Sequence, residues 1–187
     1  MAQGATLIQQ FLNTLDRRLD RDLFDRRDDA EAWLFEHELV EPGTALSGGD
    51  HRRLLVVRDE LRELLRERDG GQVRGAMSPG AVLDDALAQC ALTVAFGSGG
   101  VPRIVGVPRG GTADAVARIM EAVRTATGDG TWERLKVCRR NGCDRAFLDR
   151  SRNRSGRWCS MARCGNQLKT QRAYAARVWP QQAADLG

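Results

Sequence analysis

The sequence predicts an α+β protein: a mainly helical N-terminal domain with one β-hairpin, followed by a small C-terminal module with four cysteines that ends in a helix. Three observations lead there. Apolar residues recur at helical spacing in segments between Leu7 and Val123, interrupted by two short strand-like runs around Gly97-Ser-Gly-Gly100. Four of the five cysteines fall between positions 138 and 164. The charge divides at the same place. The formal net charge is +4, yet from Arg134 onward there are 13 Lys and Arg against 3 Asp, a net of +10, whereas the first 133 residues carry 16 against 22, a net of −6. An acidic body and a basic C-terminal part argue for two modules with different partners, placed at 1–130 and 131–187.

The elements follow in order. Leu7, Phe11, Leu15 and Leu19, with Ile8 and Leu12 beside them, form one stripe that predicts a helix from Thr6 to Leu19. The charged run Asp20 to Arg27 reads as a solvated turn. Asp28 with Glu31 resembles a capping box for a second helix that carries Ala32, Trp33, Phe35 and Leu39 and stops before Pro42-Gly43. Asp50 can cap a third helix, with Leu54, Val57, Leu61, Leu64 and Leu65 inside, Arg62, Glu63, Arg66 and Glu67 outside, and Gly70-Gly71 at its end. Ser78-Pro79 starts a short helix to Gln89. Ala91–Phe96 and Arg103–Val107 are the hairpin strands. A last helix begins near Thr112 with Val116, Ile119, Met120 and Val123 buried.

Composition bounds the class. With 42% hydrophobic and 29% charged residues the chain can bury a core and is not a disordered polymer. No apolar run approaches the ~20 residues that cross a bilayer. The N-terminus lacks the basic start and small-residue cleavage site of a secretion signal. The expectation is a soluble cytoplasmic protein without a membrane partner.

Cys138, Cys143, Cys159 and Cys164 read C-x4-C-x15-C-x4-C. Paired ligands on short spacings, separated by a dozen or more residues, are what a tetrahedral zinc ion needs, and four thiolates leave no open position. The site is therefore expected to be structural. Few large apolar residues lie between these cysteines, so metal binding would supply much of the module's folding free energy. Two disulfides fit reduced cytoplasmic thiols less well. A redox switch that releases zinc uses the same residues but has nothing in its favour. Cys90 reads as a small buried core thiol.

Between the cysteine pairs, Arg150, Arg152, Asn153, Arg154 and Arg157 are interleaved with serines, without the acidic partners of a neutral surface. Arg163, Lys169 and Arg172 continue the basic character along the terminal helix. Such donors suit phosphate oxygens, and duplex DNA is the expected partner over a merely solvated loop. The acidic body should avoid DNA, so binding should follow the last 55 or so residues.

The strings Arg134-Leu-Lys-Val-Cys138 and Phe147-Leu-Asp-Arg-Ser-Arg-Asn-Arg-Ser-Gly-Arg-Trp-Cys-Ser-Met-Ala-Arg-Cys-Gly-Asn166 resemble the CGNR zinc-finger family. Phe11-Leu-Asn-Thr-Leu15 followed by Ala32-Trp-Leu34 is similar to the ABATE domain with which that finger is usually paired. The resemblance implies a treble-clef-like finger that binds zinc and DNA, and an N-terminal domain that senses a ligand or assembles, in a family described as stress-induced bacterial transcription regulators. Two positions depart from the family pattern: Gln167 replaces its final Arg, and Gly156 stands where another Arg is frequent.

The body shows no acid, base or nucleophile cluster, so no enzyme is expected. His37 and His51 read as surface residues. Asn13 and Thr14 are poor helix formers among apolar neighbours; a buried hydrogen bond is the plain account, and a ligand pocket lined by Asn13, Thr14 and Arg17 the sharper one. The leading reading is a zinc-dependent DNA-binding regulator, with a small-molecule effector or a second copy as partner of the body. The alternative is an RNA- or protein-binding adaptor.

Overall fold

The first helix stops where its side chains begin to compete for backbone. The computed structural model describes residues 3–107 and 111–166, and in it α1 runs Gln3–Leu12 rather than to Leu19. Thr14 Oγ1 donates to Phe11 O at 2.8 Å, and the Asp16 carboxylate accepts the N–H groups of Arg18 and Leu19. These local bonds replace helical ones. The chain instead makes a minimal antiparallel pair, β1 (Leu15–Asp16) and β2 (Arg21–Asp22), and Leu19 ends 58% exposed.

Helix α2 spans Arg27–Glu36. Its N-cap is Arg26, without a side-chain bond, so Asp28 and Glu31 form no capping box; Glu31 Oε1 accepts from Leu46 N at 2.7 Å instead. Trp33 and Leu34 face inward while Ala32 and Phe35 are exposed. Helix α3 (Gly48–Arg68) does start on a capping box, but with Ser47 as the cap and Asp50 three residues later as its partner. Ser78 makes no side-chain cap bond, and α4 runs Pro79–Ala88 from the proline. The hairpin pairs β3 (Leu92–Phe96) with β4 (Pro102–Gly106), and Gly99 and Gly100 take the positive φ its turn requires. Helix α5 spans Thr112–Gly128 and buries Val116 and Ile119, with Met120 and Val123 half-buried.

The core lies between α1, α3 and α5 and is lined by Ile8, Phe11, Leu12, Leu54, Leu61, Leu65 and Ile119. Phe11, Phe24 and Trp33 meet there with ring centroids 5.5–6.0 Å apart. The same core takes in Leu135, Val137 and Ala146 from the C-terminal part, so apolar packing runs across the change of charge. His37 stacks on Trp33, and His51 Nε2 lies 2.7 Å from Phe24 O.

Arg62 and Glu63, expected outside, are inside, and so is Arg58. Arg58 and Arg62 are 2% and 1% exposed, and Glu63 is buried as well. Arg58 grips Asp22 with two bonds of 2.6 and 2.9 Å and lies over the Phe24 ring. Arg62 donates to Leu12 O, at the end of α1, and to Asp59. A buried guanidinium is tolerated only when most of its donors are met; here Asp22, Thr14, Asp59 and Leu12 O take them, and Arg62 Nε alone of the two groups' nitrogens is left without a partner.

Two predictions follow from this packing. A Cβ on Gly106 would sit 2.0 Å from Asp114 N, at the start of α5. Gly106→Ala should therefore cost about 1–3 kcal/mol in denaturant unfolding. The Asp22 carboxyl is partly buried, which alone would raise its pKa, but bonds from Arg58 and the Phe24 N–H, with the charges of Arg58 and Arg62, hold it below the ordinary value. A depressed carboxyl adds stability that is present above its unfolded pKa, about 4, and is lost as pH falls through the lower folded value. Asp22→Asn should be less stable than the parent at neutral pH, and the gap should close on acidification below about pH 4; urea melts across pH measure it.

Candidate metal centre and basic loop

The first cysteine pair sits on a hairpin. β5 (Leu135–Val137) pairs antiparallel with β6 (Ala146–Leu148), and the turn between them carries Cys138 and Cys143. Cys138 N donates to Arg145 O, and Cys143 N to Arg140 O. Gly142 and Asp144 have positive φ, which bends this turn so that both sulfurs face the same way. In the second pair Cys159 precedes one helical turn, Met161–Gly165, and Cys164 lies within it; Ser160 caps the turn, its hydroxyl accepting from Arg163 N.

The fold brings the four predicted cysteines together. All four Sγ atoms lie within 4.8 Å of one another. Cys143 is 3.7 Å from Cys159 and 3.6 Å from Cys164, and Cys159 is 3.6 Å from Cys164. A metal–sulfur bond of about 2.3 Å in a tetrahedron sets sulfurs about 3.8 Å apart, so the cluster has the size that such an ion requires. Three of the cysteines are buried and Cys159 is half-buried. A hydrogen bond with Cys138 and burial push the Cys143 thiol up, and burial with its sulfur neighbours pushes Cys159 up to about 12. Packed thiols alone resist ionisation, and a cation at their centre is what would favour four thiolates. Arg140 Nη1, 3.8 Å from Cys164 Sγ, adds positive charge at the rim.

The loop after β6 is organised by Arg134, Lys136 and Asp149, none of which the sequence marked as a site residue. Asp149 is buried and accepts from Lys136 Nζ at 2.8 Å, Ser151 N at 2.9 Å and Gly156 N at 2.8 Å. Burial works against its ionisation, but these bonds outweigh it and hold the carboxyl far below its ordinary range. Lys136 also donates to the carbonyls of Arg154 and Gly156, and Arg134 Nη1 to those of Asp149 and Ser151. Four loop carbonyls thus face the hairpin. Arg150, Arg152, Asn153, Arg154 and Arg157 are exposed, as is Arg163 beyond the loop. Lys169, Arg172 and Gln167 lie outside the described residues. Gly156 has a physical reason: a Cβ there would meet the Asp149 carboxylate at 2.6–2.9 Å.

Asp144 joins this module to the body. Its carboxylate, 3% exposed, receives Arg66 at 2.9 Å and Arg17 at 3.3 Å, together with Arg74. Asn13 bonds the β6 backbone both ways, donating to Ala146 O at 2.9 Å and accepting from Ala146 N at 2.8 Å. Arg145 pairs with Asp16 at 2.9 Å. Asn13, Thr14 and Arg17, expected as a ligand pocket in the sharper reading, thus have internal partners: β6, the end of α1 with Arg58, and Asp144. The plain account, a buried hydrogen bond, describes Asn13 and Thr14. One signal was available for Asp144 and Asp149: they are two of only three acids among the last 54 residues.

Two family models cover the chain. The ABATE model, whose description reads "Putative stress-induced transcription regulator", matches residues 5–134. The chain belongs to the ABATE family. The CGNR zinc finger model takes over at residues 134–177 and includes all four clustered cysteines. No curated protein matches the chain. Among the described residues, no helix of this ABATE protein is long and apolar enough to cross a membrane.

The junction generates a stability prediction. Asp144→Asn removes a buried carboxylate from three guanidinium groups, and breaking a buried pair on one side typically costs about 3–5 kcal/mol. The variant should unfold at lower denaturant and be cleaved faster by protease between body and finger.

Proposed function

We propose that this ABATE protein is a zinc-dependent DNA-binding transcription regulator whose finger contacts duplex DNA through its basic loop. The observation that carries the reading is the orientation of the loop 149–157. Its carbonyl acceptors are drawn inward by Arg134 and Lys136, while Arg150, Arg152, Arg154 and Arg157 point to solvent without acidic partners among the described residues. Exposed guanidinium groups carried on a loop whose backbone is fixed before binding are suited to phosphate oxygens, and only the side chains have freedom to lose on contact. Zinc is the ion we assign to Cys138, Cys143, Cys159 and Cys164, because four thiolates at tetrahedral spacing make a closed structural site. Zinc there would fix the two ends of the loop and would itself take no part in a reaction.

The N-terminal body, 1–130, would be the signal-receiving or assembling part, with a small-molecule effector or a second copy as its partner. What supports this is its direct grip on the finger through Asp144 and Asn13, which gives any change in the body a mechanical route to the DNA-binding loop.

Metal analysis should give about one zinc per chain, and Cys159→Ser should lower it and loosen the finger. Fluorescence anisotropy with a labelled duplex should show affinity falling steeply from low to moderate salt, with a slope set by the phosphates neutralised. Arg152→Gln should weaken binding while leaving zinc content unchanged. Salt-insensitive or absent DNA binding by the zinc-loaded protein would overturn the reading, and preference for structured RNA or for an acidic protein in competition would replace it with an adaptor.

A further inference from the structure

The basic surface does not stop at the finger. A cleft of about 330 Å³ opens beside the second cysteine pair, with Gln9 of α1, Arg18 from the turn between β1 and β2, Arg145, Ser160 and Arg163 on its walls. Asp16, the carboxylate that pairs with Arg145 of the cleft wall, is already engaged. Asp16 Oδ2 pairs with Arg145 at 2.9 Å, and Asp16 Oδ1 accepts the backbone N–H groups of Arg18 and Leu19 at 3.1 and 3.2 Å. The guanidinium groups of Arg18 and Arg163 have no hydrogen-bond or ion-pair partner among the described residues, although one comes from the body and the other from the finger. Arg18, Arg145, Arg163 and the nearby Arg140 against Asp16 give +3, and a zinc ion held by four thiolates would bring −2, so the cleft keeps a net charge of about +1. The metal centre forms part of the same wall through Cys159 and Cys164, and Arg140 Nη1 stands 3.8 Å from Cys164 Sγ.

We propose that this cleft seats a phosphate of the DNA backbone, so that the body touches the same duplex as the finger. Two free guanidinium groups across an open cleft match the non-bridging oxygens of one phosphodiester, and the Gln9 amide supplies a neutral donor. The acidic body therefore presents one basic corner, Arg18, where β1 and β2 reach the finger. This differs from what net charge alone predicts, that binding follows only the last 55 or so residues. The inference rests on the DNA-binding reading and adds a second contact region to it.

The test uses the full zinc-loaded chain and a labelled duplex, titrated by anisotropy over a salt series. Arg18→Gln should weaken binding about five- to tenfold near 0.1 M salt and lower the slope of log affinity against log salt by about one, while Arg18→Lys should keep most of the affinity. Arg163→Gln should do the same from the other wall. Because the Arg18 guanidinium supports no bond in the fold, zinc content and unfolding midpoint should match the parent. If Arg152→Gln weakens binding while Arg18→Gln and Arg163→Gln leave affinity and slope at the parent values, the cleft is overturned and the finger's role stands. If the parent itself does not bind DNA, both fall together.

Discussion

The carboxylate of Asp144 is the point on which the two parts of this molecule depend. It stands next to Cys143, in the turn that aims the first cysteine pair, and it is enclosed by Arg66 of α3, Arg74 and Arg17 of the body. A buried carboxylate needs those cations; half-buried Arg66 needs the carboxylate in turn, whereas Arg17 and Arg74 reach it from the exposed surface. The turn around the cysteines and the surface of α3 thus satisfy each other. Around this point the smaller bonds fall into place: Asn13 on the β6 backbone, Arg145 on Asp16, Arg68 on the carbonyls of Trp132 and Leu135. Apolar packing of Leu135, Val137 and Ala146 into the helical core completes the junction. The finger of this ABATE protein is therefore docked on its body, not attached by a loose tether.

A second carboxylate does a related job one strand away. Asp149 and Lys136 neutralise each other beneath the loop 149–157 and collect its backbone groups. The consequence is a separation of roles by distance from the surface. Ion pairs that build the loop are inside it, and the arginines left over are outside. Net charge does not distinguish these two sets, although they have opposite physical meaning: the first set stabilises a shape, the second leaves a positive potential for a partner.

The metal cluster was legible in the chain because its information is local. Cysteine spacing within each pair sets the small turns, and the two pairs need only one hairpin to meet. Among the described residues the helices of the body were legible in number but not in their limits, and the predicted terminal helix lies outside those residues beyond the turn Met161–Gly165. Thr6–Leu19 reads as one stripe, yet Asn13 and Thr14 end the helix by bonding elsewhere, and Asn13's partner is 133 residues away. The same holds for Arg62 and Glu63, placed outside because charged residues on a helix normally are. They are inside because Leu12 O and the Arg74 backbone come near them in three dimensions, adding to the partner Arg62 already has one turn back in Asp59.

The sequence by itself determined the fold class, the four metal-ligating candidates, the family and the sign of the C-terminal charge. Each of these is written in residue type and spacing along a short stretch of chain. Tertiary structure alone decided which charged groups are free and which are used. Asp144, Asp149, Lys136 and Arg17 became joints, and Arg18, in an acidic body, became part of a basic cleft. The physical reason is that a charge acquires its role from what lies within a few ångströms of it, and those neighbours here come from segments tens of residues apart.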